Sequence, residues 1–356
     1  MRRSFVALSP VMFVAFATLV AACSPPAQPA APTAAPTVAP TAGAPKKIGI
    51  AYSNLIADSL SLWVARESGI FARNGLDVDL QYIASSNAFA ALLAGQVQAS
   101  AGGGSEVISG TANGADVVVV ANLMPIYPYF MEAPAGIQKP TDLKGQSIAI
   151  TNPGATFDIA SRVALKKVGL DPTDVQFIKT GSVVNVQSAL MSGQVQGGLA
   201  QVPDTLKLEA AGLHPIIDMS TLQAPAAGTV VSMQRAYVEA NKDVTQKIVD
   251  SIVQAYAIEK EDRATTVKVL KQYLKSEDDA AMGATYDYFV AKAPPTAPRP
   301  EQFMDAFAVL AEQDQRINSV DLAKMIDASY FQKASGGVHA DQHGAAERKR
   351  RGMLAE

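Results

Sequence analysis

One phrase occurs twice in this sequence. Ala91-Leu92-Leu93-Ala94-Gly95-Gln96-Val97-Gln98 is echoed by Ala189-Leu190-Met191-Ser192-Gly193-Gln194-Val195-Gln196. In both copies an apolar helical stretch stops at a glycine, the residue that most easily takes the left-handed backbone ending a helix. The surroundings repeat too. Before the first copy, Lys47 to Ala51 reads as a buried strand, Asp58 can cap a helix carrying Leu60, Trp63 and Val64, and Val78 to Ile83 alternates as a strand. Before the second copy, Ser147 to Ile150 is a strand, Ala160 to Val168 a helix stopping at Gly169, and Val175 to Ile178 a strand. Strands alternating with helices predict mainly parallel sheets flanked by helices, and two such units predict a two-lobed α/β fold. Open α/β sheets bind ligands beyond the carboxyl ends of their strands. Two lobes facing each other through those ends enclose a cleft.

The rest of the chain divides around these units. Lobe 1 is expected at 46–132 and 226–332, and lobe 2 at 133–225. Crossings are expected within 122–144, which holds Tyr127, Pro128, Tyr129 and Pro134, and near 223–231, where Pro225-Ala226-Ala227-Gly228 precedes an apolar run. The chain then turns helical. Asp243 to Arg263 carries Val244, Ile248, Val249, Ile252, Val253 and Ala257 on one stripe. Residues 333–356 are polar, with Arg348-Lys349-Arg350-Arg351, and are expected to be a disordered tail.

Residues 1–22 have the parts of a secretory signal: Arg2 and Arg3, then an apolar run from Val11 to Ala22 broken only by Thr18. The run is too short for a membrane span, which takes about 20 apolar residues. Leu19-Val20-Ala21-Ala22-Cys23 resembles the lipobox of bacterial lipoproteins, with Val20 where leucine is commoner. That resemblance implies lipidation of Cys23 and a membrane anchor. An ordinary signal peptide with an incidental cysteine is the plainer alternative, and ranks lower because the chain's only cysteine falls at the cleavage point. Arg2-Arg3-Ser4-Phe5 faintly resembles a twin-arginine export signal, though paired basic residues open many ordinary signals. Residues 23–45 are the lipidated cysteine and a Pro/Ala/Thr-rich tether, extended because its prolines forbid helix.

Composition sets the remaining bounds. Of 356 residues, 48% are hydrophobic and 18% charged, enough apolar side chain for a sizeable core. The net charge of −3 gives nucleic acid no basic footprint to bind. A lone cysteine forbids an internal disulfide.

The stretch from Trp63 to Val78, Trp-Val-Ala-Arg-Glu-Ser-Gly-Ile-Phe-Ala-Arg-Asn-Gly-Leu-Asp-Val, is similar to the first-lobe helix and turn of ABC-transporter substrate-binding proteins of the nitrate, sulfonate, taurine and pyrimidine-precursor group. Asp142 to Ile150, Asp-Leu-Lys-Gly-Gln-Ser-Ile-Ala-Ile, resembles the phrase opening their second lobe. The likeness covers 46–275 well and 276–332 loosely. It departs at Gln98 and Gln196, where that group usually has aspartate. It implies a type II periplasmic-binding-protein fold with two hinge crossings, lobes that close on a small-molecule solute, and docking to an ABC permease. The expected place is outside the cytoplasm, on the membrane, as a monomer.

Loops at the expected strand ends would line the cleft. They hold Ser53 and Asn54; Ser85, Ser86 and Asn87; Gly103, Gly104 and Ser105; Asn152, Gly154, Ala155 and Thr156; Gly181, Ser182 and Asn185; and Gln201. Most precede helices, whose N-termini expose unpaired N–H groups and favour anions. Helix capping and turn chemistry explain any one Ser or Asn. The recurrence of the set in both units favours a polar site. Tyr52, Tyr127, Tyr129 and Phe157 lie near these loops or the hinge and could stack on a ring, although such residues more often pack a core or hinge. Asp58, Glu106, Asp158 and Asp204 are read first as partners of helix dipoles; one turned inward would favour an amine or aminopyrimidine solute. No Arg or Lys lies in the loops, so a sulfonate or nitrate would rely on backbone N–H groups and hydroxyls, with Arg235 as a candidate helper.

Catalysis has little support. His214 stands alone in the folded part, no cluster has metal-ligand spacing, and no cofactor is implied. An enzyme of the same fold, as in pyrimidine or menaquinone biosynthesis, is the rival reading, and a sensor lipoprotein without a permease is a third.

Overall fold

The computed structural model describes residues 44–336 except 85 and 223. The signal segment, Cys23, nearly all of the tether, Ser85 and residues 337–356 lie outside the described residues.

Ten strands form two five-stranded sheets. The first lobe holds β1 (Lys46–Tyr52), β2 (Leu76–Tyr82), β3 (Ala99–Gly102) and β4 (Val117–Asn122). The second holds β5 (Phe130–Pro134), β6 (Ser147–Ile150), β7 (Gln176–Lys179), β8 (Gly197–Ala200) and β9 (Leu213–Asp218). The chain then returns to the first sheet as β10 (Val230–Gln234). The sheet orders are β2-β1-β3-β10-β4 and β7-β6-β8-β5-β9. In each, one strand runs antiparallel, and it is the strand that enters straight after a crossing. β4 is buried along its length, as a Val-rich strand covered on both faces must be.

The echoed phrase has one structural job in both lobes. Gly95 and Gly193 each stop a helix with φ of 71°. The side-chain oxygen of Gln98 then accepts the N–H of Gly49 at 2.7 Å, and that of Gln196 accepts the N–H of Ser147 at 3.4 Å. An aspartate could accept the same bonds, which explains how glutamine stands in its place.

The crossings differ from expectation in their limits. Phe130 to Glu132, expected in lobe 1, pair with β8 and β9 and so belong to the second sheet. The first crossing is therefore 123–129 and the second 219–229. They lie side by side. The N–H groups of Leu123 and Met124 donate to the Thr229 carbonyl at 2.8 and 3.1 Å, and the Gly228 N–H donates to the Met124 carbonyl at 3.0 Å. Buried Asn122 fastens the pair, donating to the Ala226 carbonyl and accepting from the Met124 N–H.

Helices Lys242–Glu261, Arg263–Leu274 and Asp279–Lys292 build out the first lobe. Trp63 is fully buried there and stacks on Tyr273 with ring centroids 4.7 Å apart. Helix Met304–Gln313 packs on helix Gly104–Ala112 of the first lobe and on helix Thr156–Lys167 of the second. The expected tail is helical as far as 336, because Tyr330, Phe331 and Ala334 bury one face in the first lobe.

Candidate functional site

The parallel strands β1, β2 and β3 point their carboxyl ends at those of β6, β7 and β8, and the loops beyond them meet between the lobes. Two cavities lie there. One, of about 220 Å³, has Ser53, Asn54 and Tyr82 on the first-lobe side and Thr151, Ser182, Gln187, Asp204 and Lys207 on the second. The other, of about 430 Å³, has Ser86, Asn87 and Glu106 facing Pro153, Gly154 and Ala155.

The lobes also touch. The Glu106 carboxylate, in the first turn of helix Gly104–Ala112, lies close to Thr156, the first residue of helix Thr156–Lys167. It accepts the Ser105 hydroxyl at 3.0 Å. A β-carbon at Gly103 would collide with both Glu106 Oε2 and Thr156 Oγ1, so the contact requires glycine there. Burial pushes the Glu106 carboxyl above its ordinary range, against the pull of the Ser105 hydroxyl. Nearby, Asp58 is buried and pushed up to about 6 by desolvation, though Asn54, Thr229 and Ser59 all donate to it. It ties the loop after β1 to the second crossing, a different task from the helix cap expected of it. Tyr129 is held well above the ordinary range by burial, with Asp58, Tyr127 and Glu106 adding to it. Its hydroxyl, and both amide atoms of Gln201, are buried without a hydrogen-bond partner.

The expected site residues separate into groups. Ser53, Asn54 and Ser182 line the smaller cavity; Ser86, Asn87 and Gly154 line the larger. Ser182 also caps helix Val183–Met191 by accepting the Asn185 N–H, so the capping reading holds beside the site reading. Ser105 and Thr156 sit at the lobe contact. Gly104 is turned away: its N–H donates to the Ala227 carbonyl at 2.8 Å, and a β-carbon there would meet Ala227 and Phe303. Phe157 is core, with its ring 5.1 Å from that of Tyr129. Tyr127 is buried in the crossing and lines neither cavity. Asn152 opens the turn in which its carbonyl accepts the Ala155 N–H. Gln201 is buried behind the loops, and its carbonyl accepts from Asp204 and Thr205.

Arg235 is not at the cleft. β10 runs antiparallel, so its end lies at the opposite pole, where Arg235 pairs with Asp116 at 2.7 Å beside a separate cavity of about 600 Å³. Sequence reasoning missed Tyr82, Gln187 and Lys207. Each sits inside a strand or helix and not in a loop, and Lys207 is paired with Asp204 at 3.0 Å. Among the described residues no group of three or more His, Cys, Asp or Glu could hold a metal.

Two mixed sheets of matching order, joined by paired crossings around an interlobe cleft, define a periplasmic-binding-protein fold of type II. The NMT1/THI5-like family matches residues 57–264, more than half of the chain, and the protein belongs to that family. Solved structures agree on the fold. A protein of Bordetella bronchiseptica RB50 superposes with TM-score 0.72 at 24% identity, covering 82% of this chain and 98% of that one. The periplasmic aliphatic sulphonate binding protein SsuA of Escherichia coli gives 0.67 at 18%, covering 81% and 99%. The periplasmic nitrate-binding protein NrtA of Synechocystis PCC 6803 gives 0.69 at 13%, covering 84% and 91%. No curated protein matches the sequence significantly.

Proposed function

We propose that this chain is the extracytoplasmic solute-binding component of an ABC importer, a lipoprotein tethered through Cys23 that holds one small solute between its lobes and hands it to a permease. The observation that carries this reading is that each interlobe cavity takes its lining from both lobes. A solute seated there touches both lobes, so it binds the closed form more tightly than the open one and shifts the population toward closure. A permease that reads the closed form then distinguishes loaded from empty protein. Family membership and the fold shared with sulphonate- and nitrate-binding proteins support the same reading.

A thermal-shift panel of nitrate, alkanesulfonates, taurine and aminopyrimidines, followed by scattering, tests it. A true solute at a hundred times its Kd adds about 2.7 kcal/mol to stability, and it should hold the particle in its compact form. Turnover of a bound solute by the purified protein would instead mark an enzyme on this fold. The anchor is tested separately: Cys23→Ser should abolish fatty-acid labelling and release the protein from membranes, and labelling that persists would remove Cys23 from the proposal.

A further inference from the structure

We propose that Glu259 is a proton-operated latch on lobe movement: its carboxyl stays buried and uncharged while the lobes are together, and ionising it drives them apart. The inference rests on the opening and closing of the lobes in the solute-binding reading above, and on no particular solute.

Glu259 lies in the last turn of helix Lys242–Glu261, outside both interlobe cavities, and is 3% exposed. Its Oε1 has no hydrogen-bond partner. It lines a third cavity, of about 10 Å³, whose walls are mostly apolar: Leu60, Leu123, Met124, Phe289 and Pro295. Such a space has room for one water-sized body. An ionised carboxylate needs several donors, and burying it without them is costlier than keeping its proton. Burial accordingly pushes the Glu259 carboxyl up to about 8, with the Ser61 hydroxyl pulling the other way.

No neighbour supplies a compensating charge. Asp58, from the loop after β1, also lines the cavity, but Asn54, Ser59 and Thr229 already donate to it. The Tyr286 hydroxyl, from helix Asp279–Lys292, donates to the backbone carbonyl of Glu259 at 2.8 Å and leaves the carboxyl alone. On the helix of Glu259 itself, the Tyr256 hydroxyl donates to the Val290 carbonyl at 3.1 Å, and Lys260 lies over the Tyr256 ring. Among the described residues no Lys, Arg or His lines this cavity.

The position makes the acid sensitive to movement, because all three connections between the lobes are rooted here. Leu123 and Met124 begin the first crossing. The second is tied in through Thr229, whose hydroxyl donates to Asp58 and whose carbonyl accepts from Leu123 and Met124. Pro295 precedes Thr296, which exchanges both backbone hydrogen bonds with Asn122 and leads on to helix Met304–Gln313. Opening pulls on all three walls, and water admitted there lowers the Glu259 value toward its ordinary range. The closed form then holds the proton more tightly than the open form. The proton's support for closure is complete below the open-form value and is lost as pH rises to about 8, where the closed form also ionises. Across that window the closure equilibrium falls by up to roughly tenfold per pH unit.

Small-angle scattering of the Cys23→Ser protein without added solute, between about pH 5.5 and about pH 9, tests the latch, with Glu259→Gln and Ser61→Ala introduced beside it. The Glu259 form should be compact in acid and expand as the pH rises. Glu259→Gln, which cannot ionise, should stay compact throughout. Ser61→Ala removes the hydroxyl that favours the charged form, so it should expand at higher pH, and it guards against a Gln variant that folds poorly. Infrared titration should show a protonated-carboxyl band at neutral pH that Glu259→Gln lacks. Expansion in step with and without Glu259, or an identical carboxyl band in both, would overturn the latch. A size that responds to a solute of the thermal-shift panel but not to pH would also overturn it and leave the solute-binding reading standing. One size at every pH and with every solute of that panel would take down both.

Discussion

Glu132 shows what one side chain can cost. It lies in β5, is 0% exposed, and neither carboxylate oxygen has a hydrogen-bond partner. Burial, with the charge of Glu209 adding to it, pushes its carboxyl up to about 7. The native state therefore holds this proton more firmly than the unfolded chain, whose glutamates titrate at about 4.3. The stability it contributes is full below that range and drains away as pH climbs toward 7, by on the order of 3 kcal/mol. Glu259, pushed up to about 8 by burial, and Asp58, pushed to about 6, act with the same sign. Urea unfolding at pH 4.5 and 7.5 should show wild type losing stability, with Glu132→Gln losing markedly less. Equal losses in the two proteins would mean that Glu132 does not titrate in this window. Neither glutamate could be singled out beforehand, and Asp58 reads as a helix cap rather than a buried acid. Their sequence neighbourhoods are ordinary, and it is the closing of a sheet or a helix over them that removes water. The polar loop residues were easier, because a Ser or Asn after a strand and before a helix has few other places to go. That rule located Ser53, Asn54, Ser86, Asn87 and Ser182 at the cavities, and it also selected Gly104, which faces the crossing instead.

The repeated phrase gives a matched pair of experiments on elements. Gly95 and Gly193 both have φ of 71°, and at both a β-carbon would meet nothing within 4 Å. Substitution by alanine thus incurs conformational strain alone, roughly 1 kcal/mol at each. The two sites share no neighbours, so the double variant should lose the sum. Denaturant melts of Gly95→Ala, Gly193→Ala and the pair would check this, and a loss of several kcal/mol at one site only would break the equivalence of the two lobes. The same repeat made the parallel strands legible, since helix stops and buried apolar runs are local signals. β5 and β10 were not legible as the inserted antiparallel strands. Nothing in Phe130–Pro134 or Val230–Gln234 states which sheet will take it, because that choice is made by partners far away in the sequence. The same ignorance displaced the first boundary between the lobes.

A two-crossing hinge would leave the lobes free to swing, but helix Met304–Gln313 bridges the two from the side. Its apolar face, with Ala306, Val309 and Leu310, belongs to a core that runs through both lobes. Its polar edge makes two ion pairs to the second lobe, Lys166 with Glu312 and Lys167 with Asp305, the latter at 3.2 Å. Opening must strip the helix from one lobe or the other. The first lobe is the one it should stay with, because Phe303, directly before it, packs against Gly104 of that lobe. On that account the ion pairs belong to the closed state alone. Exposed pairs of this kind contribute between zero and about 1 kcal/mol each and are weakened by salt. Removing both should therefore shift the closure equilibrium modestly, raising the Kd of the solute by up to about thirtyfold, while leaving the fold intact. Lys166→Ala combined with Lys167→Ala is the test, read by scattering of the empty protein and by titration at low and high salt. Wild type should expand as salt rises, and the double variant should already be expanded and indifferent to salt. A double variant as compact as wild type, with unchanged affinity, would assign the helix to a rigid frame and leave the paired crossings as the sole control of motion.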